Sequence, residues 1–589
     1  MATTLIIIMA LGLLSFAWAQ DTTTTGRWTM TTVAGNGNSM NAWNSPDKPV
    51  PGEDPVGKSL YFSWGCGGVK YSMSQAHFFL SDNADIKRIW RFKSTDTTDS
   101  EVIVGPDYDV FAEDDTVDTF DESDGRSIRL DKDVTNLATG IDVTTNRDIL
   151  YFSQGLEKGG NTYPTDGWIR KAKENVDGGW SVSDYVGVHF DGGAPSAQPT
   201  QAPTTGILPT SDPYCQYLRE AKTLVSKYSD SDAEIYGTNV FNDMAVNPVD
   251  NMLYLAAGLW VTSSSKVRFN YNEYNFRINR IRKVQGIDYI EYWAGKNNEN
   301  HNCAVANVGP QGVTGFPGTH CDSGTYVPSS DYADGLHMHN TTMRPMVITF
   351  DNDGNLYYYC GVAYMVRKIQ ASDNKVYSLF GHGYSGNRDS NGNYFYRGIY
   401  PDTSTADTGD FFFSSNDYDN DRWYDGGNEP VNSNYPLYEM TGIDVDDYEN
   451  IYILRHYMLM VYMKEGNDAD KLKWLVNMKL SDDIAQSRAQ EVYPAGSYEN
   501  GINDVRDPLA YRSLSGGGQG YIQAFSVKKS FLTNSTNSSD SNVTGPIGDV
   551  LFVDTNDYTL SKSQFRCPAG SMIIHLYIYT FDFQNKYSQ

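Results

Sequence analysis

Four of the nine histidines share one loop-like stretch of the chain: His301, His320, His337 and His339. Neutral imidazoles grouped in this way could bind Zn²⁺ or a similar ion. In an extended segment His337 and His339 would point to the same side, because side chains alternate along a strand. The alternative is that these are scattered loop histidines. Asn340 favours it, since this glycan acceptor next to His339 would direct a sugar into bulk solvent.

Acidic residues farther along the chain form two patterns that resemble the calcium-binding loop of an EF-hand. The patterns comprise Asp389 with Asn391, and Asp417, Asp419, Asp421 and Asp425. Both lack the closing glutamate, and Arg422 stands where the second pattern needs glycine. Extracellular modules bind Ca²⁺ weakly with such incomplete ligand sets. The sequence therefore predicts one structural Ca²⁺ within residues 387–428, with solvated Asn/Asp turns as the alternative.

Other functional classes are disfavoured by composition and by motif. The formal net charge of −27 disfavours nucleic acid and anionic membranes as partners, because phosphate binding needs clustered Lys and Arg. The sequence contains no Gly-x-Ser-x-Gly, no His-Glu-x-x-His and no phosphate-binding glycine-rich loop with lysine. No cofactor is therefore certain, and Zn²⁺ and Ca²⁺ are the two candidates.

The N-terminus predicts export from the cell. Residues 5–19 are apolar and end in Ala17-Trp18-Ala19, a small-x-small cleavage pattern. We interpret residues 1–19 as a signal peptide, with a membrane anchor as the alternative. The mature chain, which begins with a Thr-rich segment at 20–27, is expected to be secreted and to have no membrane span.

Cysteines and sequons agree with an extracellular location. Six cysteines are present, and Cys303 with Cys321 is the expected disulfide pair because the two are close in one loop-like stretch. The predicted N-glycosylation sites are Asn340, Asn534, Asn537 and Asn542. Three of them lie within residues 533–544, which indicates a glycosylated surface loop.

A repeated pattern of strands must position these residues. A β-branched or aromatic residue opens each copy, a polar turn follows, and an aliphatic-Tyr pair begins the next strand. Clear copies occupy residues 143–151, 246–254, 350–357 and 445–452, with a looser one at 71–79. A basic strand follows most copies, and a strand ending in glycine follows several. Four short strands per repeated unit are typical of a β-propeller.

The repeats resemble the NHL-repeat family of propellers. Gly140-Ile141-Asp142-Val143 and Gly442-Ile443-Asp444-Val445 match the start of the family repeat, and residues 351–357 match its turn. Residues 366–369 match its basic strand. Thr31-Thr32-Val33-Ala34-Gly35 matches its last strand but lies at the start of the mature chain, a position from which such propellers are often closed. The resemblance implies that this strand completes the final blade.

The predicted fold is all-β: a six-bladed propeller with long inter-blade loops, spanning residues 28–560 and closed by an N-terminal strand. A sixth blade would begin near residue 520 and resume near residue 549. A β-sandwich array is the alternative. The tail at 561–589 contains the strand-prone segment 572–583, which would dock on its own propeller, pair with another molecule, or not belong to the native protein.

Two hypotheses on function remain. The first is a secreted, glycosylated propeller that acts as an extracellular binding or assembly module, a surface or matrix component with a protein, a glycan or another copy of itself as partner. The resemblance supports it only at the level of the fold. The alternative is a metal-dependent lyase or hydrolase with a His-lined channel site, and it rests on the histidine cluster.

Overall fold

The structure is a computed structural model. It describes residues 27–34, 67–83, 87–94, 99–105, 123–128, 130, 133–154, 168–186, 207–212, 215–221, 241–257, 277–295, 334–341, 343, 345–360, 365–381, 429–430, 440–455, 458–462, 464, 471–476, 522–529, 550–554 and 559–566. The predicted signal peptide and residues 572–583 lie outside these ranges. No helix in the described ranges has the length and apolar character needed to cross a bilayer.

The described strands form six antiparallel sheets, numbered here in chain order. The strands of the first half are β1 (Arg27–Ala34); β2 (Gly68–Tyr71), β3 (His77–Asn83), β4 (Lys87–Lys93) and β5 (Ser100–Val104) in sheet 1; β6 (Ser123–Asp124), β7 (Val134–Asp142), β8 (Arg147–Gln154), β9 (Trp168–Glu174) and β10 (Trp180–Val186) in sheet 2; and β11 (Ile207–Asp212), β12 (Cys215–Glu220), β13 (Phe241–Val246), β14 (Leu253–Ala257), β15 (Arg277–Val284) and β16 (Ile287–Ala294) in sheet 3.

The second half of the chain supplies the other three sheets. Its strands are β17 (Leu336–His337), β18 (Pro345–Phe350), β19 (Leu356–Cys360), β20 (Met365–Gln370) and β21 (Lys375–Gly381) in sheet 4; β22 (Glu429–Pro430), β23 (Met440–Val445), β24 (Ile451–Arg455), β25 (Met458–Tyr462) and β26 (Lys471–Val476) in sheet 5; and β27 (Ile522–Val527), β28 (Val550–Asp554) and β29 (Thr559–Arg566) in sheet 6. Two short 3₁₀-helices, Gly125–Ser127 and Met338–Asn340, precede inner strands.

The sheets stand in a ring, which confirms the predicted propeller. The innermost strands contact one another in a closed cycle, β2 to β7 to β13 to β18 to β23 to β27 and back to β2. In the described part of the chain the core consists of six buried apolar clusters, and each one lies between two neighbouring sheets. Every sheet therefore buries both faces against its neighbours, and the ring is held by burial of apolar surface.

The ring is closed by the first strand, as the sequence predicts. β1 pairs antiparallel with β29, with Arg27 opposite Arg566 and Ala34 opposite Leu560. Sheet 6 therefore runs β27-β28-β29-β1 from inside to outside. Ala34 is fully buried in the cluster between sheets 1 and 6. β29 extends beyond residue 560, so the last sheet continues past the expected limit of the propeller.

Most sheets carry more strands than the four that the repeat predicts. The two-residue strands β6, β17 and β22 pair on the outer edges of sheets 2, 4 and 5. The hairpin of β11 and β12 adds to the outer edge of sheet 3. These additions come from the long connections between sheets, which pass the outer edge before they reach the next inner strand. Pairing there satisfies backbone groups that an open edge would leave exposed.

The polar turn of the repeat is a hydrogen-bonded unit that explains the repeated residues. Asp351 Oδ1 accepts from the backbone amides of Asp353 (3.0 Å) and Asn355 (2.8 Å). Its Oδ2 accepts from Asn355 Nδ2 (2.7 Å) and from the Tyr357 hydroxyl (3.1 Å). Asn355 Oδ1 in turn accepts from the amide of Ala371, just beyond β20 (2.9 Å). The unit fixes the hairpin and ties it to the third strand.

Sheet 5 contains the same unit. Asp446 accepts from the amides of Tyr448 (2.9 Å) and Asn450 (3.0 Å), from Asn450 Nδ2 (2.9 Å) and from the Tyr452 hydroxyl (3.0 Å). Asn450 Oδ1 accepts from the amide of Lys464 (3.0 Å). Burial raises the pKa of Asp446, and these hydrogen bonds only partly oppose that effect. The carboxylates and amides of these two turns therefore serve the fold.

Arginines of the basic strand are also architectural. Arg367 on β20 is fully buried and forms an ion pair with Asp334 (Nη2 to Oδ1, 3.3 Å), which lies just before the outer-edge strand β17. Arg170 on β9 is equally buried and its Nε donates to Asp184 on β10 (3.2 Å). A planar guanidinium can bridge adjacent strands in this way, so these two arginines cross-link the outer halves of sheets 2 and 4.

Candidate functional site

A cavity of about 60 Å³ lies in the channel between the six inner strands. It is formed by the C-terminal halves of these strands, next to the hairpins that connect them to the second strands. Each inner strand contributes to its wall, and the contributors include Lys70, Thr139, Met244, Thr349, Asp444 and Ser526. The volume admits a few water molecules or one small ligand.

Asp444 is the central charged group of the cavity wall. It lies on β23, is only 2% exposed, and forms an ion pair with Lys529 (Oδ1 to Nζ, 2.8 Å). Its Oδ1 also accepts from the Thr349 hydroxyl (2.9 Å), and its Oδ2 accepts from the amide of Val527 (2.9 Å) and from the Ser526 hydroxyl (3.4 Å). The carboxylate therefore connects sheets 4, 5 and 6 at the channel.

The protonation state of Asp444 follows from these contacts. Burial alone would raise its pKa, but the charges of Lys529 and Lys70 and the hydrogen bonds from Lys529 and Val527 outweigh burial. They hold the pKa of Asp444 well below its usual range, so the group is a carboxylate at neutral pH. A carboxylate held in this way is a poor general base, because it has little tendency to take a proton.

The ammonium group of Lys529 forms an ion pair and hydrogen bonds with other groups of the cavity wall. Besides Asp444, its Nζ donates to the Thr349 hydroxyl (3.2 Å) and to the carbonyl of Phe350 (2.8 Å), and its backbone amide donates to Gln75 Oε1 (2.7 Å). The three donors of the ammonium thus have three acceptors. Lys529 follows β27, so these bonds connect the last sheet to sheets 1, 4 and 5 across the channel.

Further hydrogen bonds connect neighbouring inner strands. Asp243 on β13 accepts from the amide of Ile348 on β18 (3.0 Å). The Ser526 hydroxyl on β27 accepts from the amide of Tyr71 on β2 (3.2 Å). The inner ends of the sheets are therefore joined by directional bonds as well as by apolar packing, which makes the channel a rigid part of the protein.

The structure places His337 and His339 away from the cavity. His337 ends β17 on the outer edge of sheet 4, and His339 lies in a 3₁₀-helix, not in the expected extended segment. The imidazole rings are 4.8 Å apart between centroids. His339 Nε2 lies 2.8 Å from the carbonyl of Trp293, so this nitrogen donates a hydrogen bond and does not face a metal ion. Pairing of residues 336–337 with β21, which sequence spacing could not show, determines this position.

The other predicted site residues lie outside the described ranges. They are His301, His320, Asp389, Asn391, Asp417, Asp419, Asp421, Asp425, Asn534, Asn537, Asn542, Cys303 and Cys321. Asn340 is described and exposed, which is compatible with the predicted glycan. Within the described ranges no group of three His, Cys, Asp or Glu side chains is arranged to hold a metal ion.

The cavity residues were missed because their partners are distant in sequence. Asp444 belongs to a repeat motif, but its ion pair with Lys529 joins two sheets, and Lys70 approaches it from the first sheet. The sequence did contain a signal for this site. In a propeller, an acidic residue on an inner strand and a lysine after the last inner strand both face the channel. Only the ring order of the sheets brings these positions together.

Comparisons with known proteins give the following results. No family profile and no curated protein sequence matches the chain. Similar solved structures include a streptogramin B lyase (11% identity, 88% of this chain and 97% of that chain, TM-score 0.32). They also include a PQQ-bound aldose sugar dehydrogenase from Streptomyces coelicolor (10%, 92% and 99%, 0.32) and an auxiliary nutrient binding protein from Bacteroides thetaiotaomicron (6%, 92% and 77%, 0.37). At these TM-scores the propeller assignment rests on the strand pairing itself.

Proposed function

We propose that the chain is a secreted, glycosylated propeller of NHL type that acts as an extracellular binding or assembly module. The observation that carries the proposal is the closed ring, in which the first strand pairs with the last and Asp444 ties three sheets together. A ring closed in this way presents fixed faces to a partner without a large conformational cost on binding.

Two further observations support a role outside the cell. Asn340, the acceptor residue of a predicted sequon, is exposed next to the outer edge of sheet 4. The net charge of −27 would keep a secreted protein soluble and would favour partners with basic or neutral polar surfaces. The predicted partners remain an extracellular protein, a glycan or a second copy of this chain.

The test begins with self-association of the full-length chain produced by a secretory host. We expect sedimentation velocity to show concentration-dependent assemblies. We expect deletion of residues 571–589 to shift them to monomer, because a strand-prone segment could add to the sheet edge of another molecule. A second variant keeps the length of the tail but replaces Ile574 and Leu576 by lysine. It should also give monomer, which would exclude the change in chain length as the cause.

A binding arm uses the same material on an array of extracellular glycans and matrix proteins. Saturable binding that survives tail deletion would assign the function to a propeller face. A chain that stays monomeric at all concentrations and binds nothing on the array would contradict the proposal. Assemblies that persist unchanged without the tail would remove strand donation as their mechanism.

The metal-dependent lyase or hydrolase remains the alternative, without support from the described part of the channel. The cavity wall there includes no histidine, and His337 and His339 lie at the outer edge of sheet 4. Turnover of a substrate that requires added Zn²⁺, lost on substitution of His301 and His320 by alanine, would favour this alternative over the binding module.

A further inference from the structure

Almost all described polar groups of the channel cavity form hydrogen bonds with other groups of the wall. Thr139 donates to the carbonyl of Tyr71 (2.8 Å), and Gln75 donates to the carbonyl of Ser72 (2.8 Å) while accepting from the amide of Lys529. Thr349, Asp444, Ser526 and Lys529 bond to one another or to the backbone, as described above. A ligand that entered would find these groups already paired.

Lys70 is the exception. Its Nζ lies 3.8 Å from Asp444 Oδ2, too far for a charge-assisted hydrogen bond, which is ordinarily about 2.7–2.9 Å long. Within the described ranges the Lys70 ammonium donates no hydrogen bond. Its side chain is 26% exposed, so it can be reached from solvent. Three donors are thus available at the wall of a small cavity.

The charge of the cavity opposes the charge of the whole chain. Among the described residues Lys70 and Lys529 face a single carboxylate, that of Asp444, so the described charged groups that line the cavity carry a net charge of +1. A positive cavity in a protein with a net charge of −27 favours an anion locally. The confined, partly desolvated position strengthens that attraction relative to a surface lysine.

The rest of the wall is apolar. Met73, Met244, Val246, Phe350 and Val527 line the same cavity. Most of each of these side chains is packed in the apolar clusters between sheets, and the small parts that reach the cavity give it an apolar edge. The wall therefore combines one cationic donor with a small apolar surface.

We infer that the channel cavity is a binding site for a short aliphatic carboxylate, with the carboxylate on Lys70 and the hydrocarbon part against Met73, Met244 and Val246. The site does not depend on the proposed assembly function, since it lies inside the ring. Lys529 and Asp444 form the rigid wall of the site and do not bind the ligand.

The test measures binding of butyrate to the full-length chain by isothermal titration calorimetry. We expect saturable binding with a dissociation constant near or below about 1 mM, a plausible affinity for a ligand of this size. Lys70→Met should weaken binding at least tenfold, whereas Lys70→Arg should stay within threefold. Butanol, which has the same chain without the charge, should bind equally weakly to the wild type and to Lys70→Met.

Lys87→Met is the matched control. Lys87 is on β4, outside the cavity wall, has a side chain 19% exposed and pairs with Asp133 at 3.5 Å. It should leave butyrate binding unchanged. If Lys70→Met does not fold, Lys70→Gln replaces it and the same tenfold loss is expected. Absence of saturable butyrate binding to the wild type up to about 20 mM would overturn the inference, and so would equal affinity in the Lys70 and Lys87 variants.

Discussion

Asp444 is the residue whose loss should matter most for stability. Asp444→Asn would remove the charge but leave Lys529 among buried groups, and an unpaired buried charge typically costs about 3 kcal/mol or more. We expect urea denaturation to show a loss of about that size. Asp99→Asn is the control, because Asp99 and Lys93 form an exposed pair at 3.7 Å that contributes little. An Asp444→Asn variant as stable as the wild type would contradict the role assigned to Asp444.

The same pair predicts a pH dependence. The pKa of Asp444 is lower in the folded chain than the unfolded value of about 3.9, so its stabilising contribution is present above that pH and is lost as pH falls. The difference in melting temperature between wild type and Asp444→Asn should therefore be largest near pH 6 and should shrink toward pH 3. A difference that is constant between these two pH values would exclude a linked protonation of this carboxylate.

At the scale of elements, the hairpin unit around Asp351 offers a test within one turn. Asp351→Ala leaves two backbone amides, Asn355 Nδ2 and the Tyr357 hydroxyl without their acceptor, and we expect a loss of about 3 kcal/mol. Asp353 is exposed, and its described hydrogen bond is donated by its backbone amide, which the change to alanine keeps. Asp353→Ala should therefore change stability by less than about 0.5 kcal/mol. Equal effects of the two changes in a denaturation experiment would mean that the unit does not act through the Asp351 side chain.

The elements were predictable from the sequence because they depend on local patterns. Strand alternation, the turn residues and the basic strand repeat along the chain, and the N-terminal match to a terminal strand predicted ring closure. The outer-edge strands were not predictable, since residues such as Leu336 and His337 have no strand pattern and pair only because a long connection passes β21. The cavity was not predictable for a related reason, because Lys70 and Asp444 meet only after six sheets have closed.

At the scale of the whole molecule, β1 should be necessary for a stable ring. Deletion of residues 20–37 removes β1 and exposes the edge of β29, so we expect the melting temperature to fall by several degrees and the protein to aggregate on storage. Deletion of residues 20–26 leaves β1 intact and is the matched control. Equal melting temperatures for the two deletions, measured by calorimetry, would count against closure by this strand.

The pairing of β1 with β29 also orders events during synthesis. β1 leaves the ribosome early, but its partner Thr559–Arg566 emerges only after residues 35–558 have been made. At about 5–20 residues per second this takes roughly half a minute to two minutes. Throughout that time the first strand has no partner, while sheets 1 to 5 can already form from contiguous sequence. Completion of the ring therefore has to wait until β29 has been made, and it requires a contact between segments that are far apart in sequence.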